Sequence, residues 1–292
     1  MSTKREWLEG RSSRGFEYKY CVGEHVGLTE LKEDFPERDY LGKKNIPRYP
    51  KYVFNEPNVC HVTEKSGLCG IFNDNGFRGG DDGFLWWSLS VSDISKQQKP
   101  FLKEFATSPA FQPESRYGNF RFTFQLTELL KEYSKQFCSR TSPTLRVLDT
   151  KIFKQEIVYS VLVHPKYIRY YREYPRLPVD IEPDTDLCGY SKKTMTWHCQ
   201  SPSDNYEYKL KMDYEHGEDY VKPLKNRQYF VWDKVDVAFH IKNGVLHFSP
   251  SQLLQHLSVC GTVPKPNLLK KPKMSVQEAE EEVEKLKEKF NL

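Results

Sequence analysis

Residues 60–80, CHVTEKSGLCGIFNDNGFRGG, decide how the first half of the chain is interpreted. They begin at the end of an apolar, strand-like run that carries His61 and Thr63. The apolar residues that follow recur at helical spacing, and the Asn75-Gly76 pair then predicts the end of that helix. The stretch therefore predicts a strand, a short helix and a turn.

Length and composition indicate a soluble globular protein. A chain of 292 residues can bury a large core without disulfide bonds. No run approaches the roughly 18 consecutive apolar residues of a membrane helix, and the first residues lack the apolar centre of a secretory signal. We therefore expect an intracellular protein, cytoplasmic or nuclear, without a membrane partner.

The seven cysteines are an odd number and form no CxxC pair. This usage favours reduced thiols over a disulfide framework or a zinc site, so no metal is expected. The formal net charge of +4 is too small to indicate nucleic-acid binding by itself. Local patches of charge therefore carry more information than the total.

Outward from residues 60–80, most segments resemble strands. The aromatic run GFLWWSLSV at 83–91 is typical of a buried strand, and 155–165, a near-continuous apolar run, predicts a central strand of a sheet. We expect an α+β fold with a strand-rich sheet and a few helices. It divides into an irregular leading segment packed on the core (1–50), the main domain (51–262), and a Pro/Lys linker with an amphipathic helix (263–292).

The last segment carries a clear helix signal. Ser275 and Glu278 form a capping box, and a single seam of apolar residues at a and d positions follows. Two and a half heptads are short for a stable coiled coil. Two interpretations remain open: the helix packs on its own domain or frays, or it pairs with a partner.

Three segments taken in order resemble the ADP-ribosyltransferase fold of the diphtheria-toxin and poly(ADP-ribose) polymerase type. They are the His-x-Thr of 61–63, the glycine-led aromatic strand GFLWWSLSVSDIS at 83–95, and NRQYFVWDKVDVAFHI at 226–241. The resemblance extends over residues 52–245. It implies a split sheet and a cleft that binds NAD or an ADP-ribose-like ligand.

The resemblance also implies roles for individual residues. His61 and Thr63 match the His-x-Thr or His-x-Ser of this family, whose imidazole bonds the ribose of NAD beside the nicotinamide. Either Trp86 or Trp87 takes the place of the aromatic residue that stacks on nicotinamide, since neighbours on a strand point in opposite directions. Ser90 or Ser92 lies near the following helix start, and Tyr159 lines the cleft.

Gln228 stands where this family has a glutamate that holds the ribose hydroxyl and helps the acceptor attack. A glutamine carbonyl accepts a hydrogen bond, but it is neutral and cannot take a proton. Three interpretations stay open: a mono-ADP-ribosyltransferase that uses substrate assistance, a pseudoenzyme that keeps the fold, and a wrong alignment at this position. A protein or an RNA would be the acceptor.

A second candidate surface lies at 164–176, where cations alternate with tyrosines. Lys166, Arg169, Tyr170 and Arg172 suit phosphate contacts and base stacking. A solvated surface explains the same pattern, because these three cations together with Arg176 give a modest field. The alternative function is therefore a catalytically inactive interaction module that binds RNA through this segment.

Overall fold

A computed structural model describes residues 5–11, 17–36, 51–90, 115, 117–153, 156–182, 186–200, 232–262 and 274–291. Within these residues the chain forms fourteen strands, five α-helices and one 3-10 helix. The strands are β1 (Leu8–Arg11), β2 (Glu17–Val22), β3 (Lys51–Glu56), β4 (Asn58–Thr63), β5 (Gly76–Arg78), β6 (Phe84–Leu89), β7 (Phe120–Gln125), β8 (Thr144–Phe153), β9 (Glu156–His164), β10 (Cys188–Ser191), β11 (Thr194–Gln200), β12 (Trp232–His240), β13 (Val245–His247) and β14 (Leu257–Val259). The helices are α1 (Leu28–Asp34), α2 (Lys65–Asn73), α3 (Leu126–Phe137), α4 (Pro250–His256) and α5 (Val276–Phe290), with the 3-10 helix at Arg169–Glu173.

The fold is organised around one nine-stranded sheet. Its strand order is β1-β2-β8-β9-β12-β6-β4-β7-β14. Strands β9 and β12 are parallel, and the other pairs are antiparallel. The prediction that 155–165 forms a central strand is confirmed, because β9 lies between β8 and β12.

One face of the sheet carries the main hydrophobic core. Helix α3 buries Leu126, Leu129, Leu130 and Tyr133, which recur at helical spacing and so form one stripe. The Tyr133 hydroxyl donates to the backbone oxygen of His240 at 2.7 Å. Helix and sheet are therefore fixed to each other by packing and by one directed hydrogen bond.

The opposite face of the sheet is divided. At one end Leu162, Ala238 and Leu148 pack with Tyr171 of the 3-10 helix in a small second cluster. The rest of this face carries charged side chains, described below. Only one face of the sheet is thus uniformly apolar, although β6 and β9 both looked apolar throughout in sequence.

The leading segment contributes short elements to the sheet and to a small core. Strands β1 and β2 extend the central sheet, since β2 pairs with β8 from Lys19↔Ile152 to Val22↔Asp149. Helix α1 adds Leu31 to a small core with Ile152 and Ile157. These residues are part of the sheet because β8 offers them an unpaired edge.

Helix α5 packs on the domain. Its capping box is confirmed, with the Ser275 hydroxyl accepting from the Glu278 amide. Ala279 is fully buried and Phe290 lies 5.6 Å from Phe72 of α2, centroid to centroid. The apolar seam of the helix therefore belongs to the main core, while the linker at 263–273 lies outside the described residues.

The predicted α+β class is confirmed at this coarse level: a strand-rich sheet with a few helices. In the part of the chain that the structure describes, no helix is long and apolar enough to cross a membrane.

Candidate functional site

The three strands that carry the sequence motifs lie side by side, in the order β12-β6-β4. Strands β4 and β6 pair only at Val59↔Leu89 and Cys60↔Ser88. On its other side β4 pairs with β7 along its whole length. From His61 onward β4 therefore separates from β6, and we call this place the seam.

His61 takes part in the seam through its side chain. Its Nδ1 lies 2.9 Å from the backbone oxygen of Trp86. Because a carbonyl oxygen only accepts, Nδ1 carries the proton and Nε2 of the neutral ring is left as an acceptor. The ring centroid lies 5.6 Å from that of Phe77 and 5.5 Å from that of Trp87. Burial lowers the pKa of His61 below its ordinary value, so the ring is neutral at pH 7.

Thr63 lies at the end of β4, where the chain turns into α2. A Cβ atom on Gly67 would lie 1.9 Å from the Thr63 hydroxyl oxygen, so only glycine lets the first turn of α2 approach so closely. Gly118, with φ +141°, passes the Thr63 carbonyl in the same way. Thr63 is therefore held by close backbone approach on two sides.

The structure separates the two tryptophans. Trp87 is 1% exposed and packs edge to face with Phe77 and Phe124 in the main core. Trp86 points to the other face and is partly exposed. Its indole nitrogen donates to Asp82 at 2.7 Å. Of the two, Trp86 is the ring that a ligand can reach without disturbing the core, and it lies on the face of the sheet opposite the His61 ring.

A row of polar side chains crosses the sheet on the Trp86 face. Asp149, Ser160, Asp236 and Ser88 occupy paired positions on β8, β9, β12 and β6. The register of β8 shifts between Val147 and Asp149. This bulge moves Asp149 to the face opposite Val147, although simple alternation would place the two on the same side. The six residues Trp86, Ser88, Asp149, Lys151, Ser160 and Asp236 form what we call the charged groove.

The charges in the groove are paired. Lys151 Nζ lies 3.3 Å from Asp149 and 4.2 Å from the Trp86 ring centroid. The Ser88 hydroxyl donates to Asp236 at 2.5 Å, and the ammonium of Lys234 lies 3.2 Å from the same carboxylate. Burial raises the pKa of Asp149, an effect that Lys151 opposes. Trp86 thus lies between an exposed carboxylate, Asp82, and a buried one.

Two other predicted residues lie away from the seam. Ser90 follows the end of β6, where its amide donates to the Asn58 carbonyl at 3.0 Å. Tyr159 is 3% exposed on the core face, with its ring 5.1 Å from that of His25. Burial raises its pKa well above the ordinary value. Tyr159 therefore contributes to packing, and the structure does not bring it to the charged groove.

Gln228 lies outside the described residues, which resume at Trp232. Its role at the position of the family's glutamate stays a prediction.

The Arg/Tyr segment is anchored by one tyrosine. Tyr171 is 7% exposed, and its hydroxyl lies 2.8 Å from Nδ1 of His240. Tyr170 is 74% exposed, beside the exposed Lys166, Arg169 and Arg172. The predicted cations and one predicted tyrosine are therefore on the surface, and their role in binding RNA stays a prediction.

Sequence reasoning missed Asp149, Lys151 and Asp236. A signal was present, because DKVDVAFH of β12 places Lys234 and Asp236 at alternate positions inside a strand that is otherwise apolar. Charges in a central strand require partners. The partners could not be named, because they come from other strands.

Among the described residues, no group of three or more His, Cys, Asp or Glu side chains lies close enough to hold a metal ion. Comparison with protein-family models, with curated proteins and with solved structures finds no match to this chain. The function therefore has to be argued from the seam and the groove.

Proposed function

We propose that this protein binds NAD, or an ADP-ribose-like ligand, at the seam between β4 and β6. The observation that supports this most is the adjacency of β12, β6 and β4, because β12 follows the other two by more than 140 residues in the chain. A site that draws on all three motifs needs these strands to be neighbours. Their side-by-side order satisfies that requirement.

The geometry suits the chemistry of an N-glycosidic pyridinium. His61 offers Nε2 as an acceptor for a ribose hydroxyl, and its orientation is fixed by the bond from Nδ1 to Trp86. Trp86 offers a stacking surface for the base on the opposite face of the sheet from the His61 ring, so a single ligand has to pass the seam where β4 leaves β6 to contact both rings. Cleavage of the nicotinamide bond builds positive charge on the ribose, which nearby carboxylates stabilise. Position 228 then decides between a binding protein and an enzyme.

Calorimetric titration with NAD tests the binding step. We expect wild-type protein to bind and His61→Ala to lose at least about tenfold in affinity, or about 1.4 kcal/mol. His256→Ala is the matched control, because His256 also directs Nδ1 at a strand carbonyl, that of Thr123 at 2.9 Å, and also packs on an aromatic ring, that of Phe124. This variant should bind as wild type does.

Circular dichroism of each variant shows whether the fold is kept. Absence of heat with wild-type protein would overturn the proposal, and the exposed Arg/Tyr segment would then be the better candidate for function.

Labelled NAD tests catalysis. If Gln228 occupies the acidic position, the wild-type protein transfers at most one ADP-ribose unit, and slowly, since loss of one preorganised electrostatic contact costs about 3 kcal/mol. Gln228→Glu should then increase self-labelling by about a hundredfold, because a carboxylate replaces a neutral amide. Gln228→Ala is the control and should not gain activity. Equal labelling of the Glu and Ala variants would contradict a catalytic position at 228.

A further inference from the structure

Lys151 spans the charged groove. It starts on β8, and its ammonium reaches Trp86 on β6, past the two strands β9 and β12 that lie between them. The ammonium lies 4.2 Å from the Trp86 ring centroid and 3.3 Å from Asp149 Oδ2. The Lys151 side chain is only 20% exposed. The lysine therefore lies in the groove and not in solvent.

The surroundings of this ammonium are those of a binding site for an organic cation. An aromatic face attracts a cation placed within about 6 Å of its centroid. The Asp149 side chain is 8% exposed and directs its carboxylate at the same point. Its other oxygen, Oδ1, is buried and accepts no hydrogen bond of normal geometry within the described part of the chain, although the Ser160 hydroxyl lies close enough to lower the pKa of this carboxyl. The acceptor capacity of the site thus exceeds what Lys151 alone uses.

We propose that Lys151 is an internal competitor, whose ammonium occupies the place on Trp86 that the pyridinium ring of oxidised NAD would take. The inference rests on the proposed function only in naming NAD as the source of the ring. The pyridinium ring is planar and positively charged, so it matches both the indole face and the carboxylate. Binding then requires Lys151 to move from Trp86, and this displacement lowers the affinity of the wild-type protein.

Two consequences follow from a site that recognises charge. Oxidised NAD should bind better than reduced NAD, because the dihydronicotinamide ring is neutral and gains nothing from Asp149. The small cation 1-methylnicotinamide should bind better than nicotinamide for the same reason. Removing the Lys151 ammonium should strengthen binding of the two cations.

The experiment is a titration of Lys151→Met with 1-methylnicotinamide and with oxidised NAD, followed by tryptophan fluorescence and calorimetry. Methionine keeps most of the lysine stem but not its charge. We expect about tenfold tighter binding than wild type, in line with the loss of one competing cation–π contact and ion pair. Lys151→Gln, which can still donate to Asp149, is the second variant in case Lys151→Met does not fold, and it should also bind more tightly.

Lys19→Met is the matched control. Lys19 also has an acidic partner, Glu9 at 3.2 Å, and an aromatic neighbour, Phe35 at 5.9 Å, and it lies on the adjacent strand β2. Its replacement should leave both affinities within about twofold of wild type.

The outcomes separate the two proposals. If wild type binds NAD and the folded Lys151 variants bind it no more tightly, the competitor is disproved and the proposed function stands. If NAD binds to none of the proteins but 1-methylnicotinamide binds Lys151→Met more tightly, the cation site stands and the proposed function fails. If neither ligand binds any of the proteins, both proposals are overturned.

Discussion

Trp86 and Trp87 are the same residue type at neighbouring positions of β6, yet they lie in opposite environments. Trp87 is surrounded by aromatic rings at centroid distances of 5.1 to 5.5 Å. Trp86 has an ammonium over its face and a carboxylate at its indole nitrogen. A strand that reads as apolar throughout can thus pack a core on one side and build a polar site on the other.

Polar side chains also find different partners on the two faces of the sheet. On the core face His61 is tolerated because its N–H is bonded to the Trp86 carbonyl. On the groove face the carboxylates of Asp149 and Asp236 are each paired with a lysine. Stability should therefore depend on shape on the core face and on charge on the groove face.

Replacing each tryptophan with alanine should give the largest difference in lost stability between the two faces. Trp87→Ala should lower the free energy of unfolding by about 3–5 kcal/mol, because it leaves a cavity among packed rings. Trp86→Ala should cost about 1–2 kcal/mol, since it removes one partly exposed cation–π contact and one hydrogen bond. Urea unfolding followed by circular dichroism measures both values.

Trp87→Phe is the control for this pair. It keeps most of the apolar contact and removes an indole N–H that has no hydrogen-bond partner among the described residues. It should therefore cost much less than Trp87→Ala. Equal losses for Trp86→Ala and Trp87→Ala would show that the faces do not differ as described.

The free energy of unfolding should respond to pH with opposite sign at His61 and at Asp149. The effect is smaller than that of the tryptophan truncations, about 1.4 kcal/mol for each unit of pKa shift. The pKa of His61 is lowered by burial, so the unfolded chain takes up the proton more readily. Stability from neutral His61 is therefore present above its ordinary pKa of about 6.5 and is lost as the pH falls below it. The deficit of His61→Ala should shrink on acidification.

Asp149 should give the opposite trend. Burial raises its pKa, so the folded chain holds the proton more tightly and stability falls as the pH rises from about 3.9 through the folded value. The free energy of unfolding of Asp149→Asn relative to wild type should then be highest at neutral pH and should fall on acidification, whatever the loss of the Lys151 ion pair adds at every pH. Urea unfolding between about pH 7.5 and about pH 5 measures both variants. If the free energy of unfolding relative to wild type changed in the same direction with pH for His61→Ala and for Asp149→Asn, the two residues would not have the opposite pKa shifts described here.

Local features of the fold were accessible from sequence. The strand, helix and turn predicted for 60–80 are confirmed as β4, α2 and a turn at Asn75, whose φ of +51° is left-handed. The capping box of α5 is confirmed as well. Each of these depends on residues within a few positions of one another, so their spacing in the chain carries the information.

The sequence predicted short elements in the leading segment, but not that two of them would join the sheet. Strands β1 and β2 are short and charged, and their stability comes from the edge of β8 more than 120 residues away. No local sequence pattern indicates that β8 has an unpaired edge at which β1 and β2 could be added. The side on which Trp86 would face was likewise undecidable from alternation alone.

The sequence by itself determined the strand, helix and turn of 60–80, the capped start of α5, the coarse α+β class, and which three segments could share a site. Only the tertiary structure decided that Trp86 faces the groove, that the bulge at Asp149 places a carboxylate there, and that Lys151 crosses to meet both. The physical reason is range: propensity, periodicity and capping act over one or two turns, whereas strand register and the pairing of buried charges are set by contacts between residues far apart in the chain.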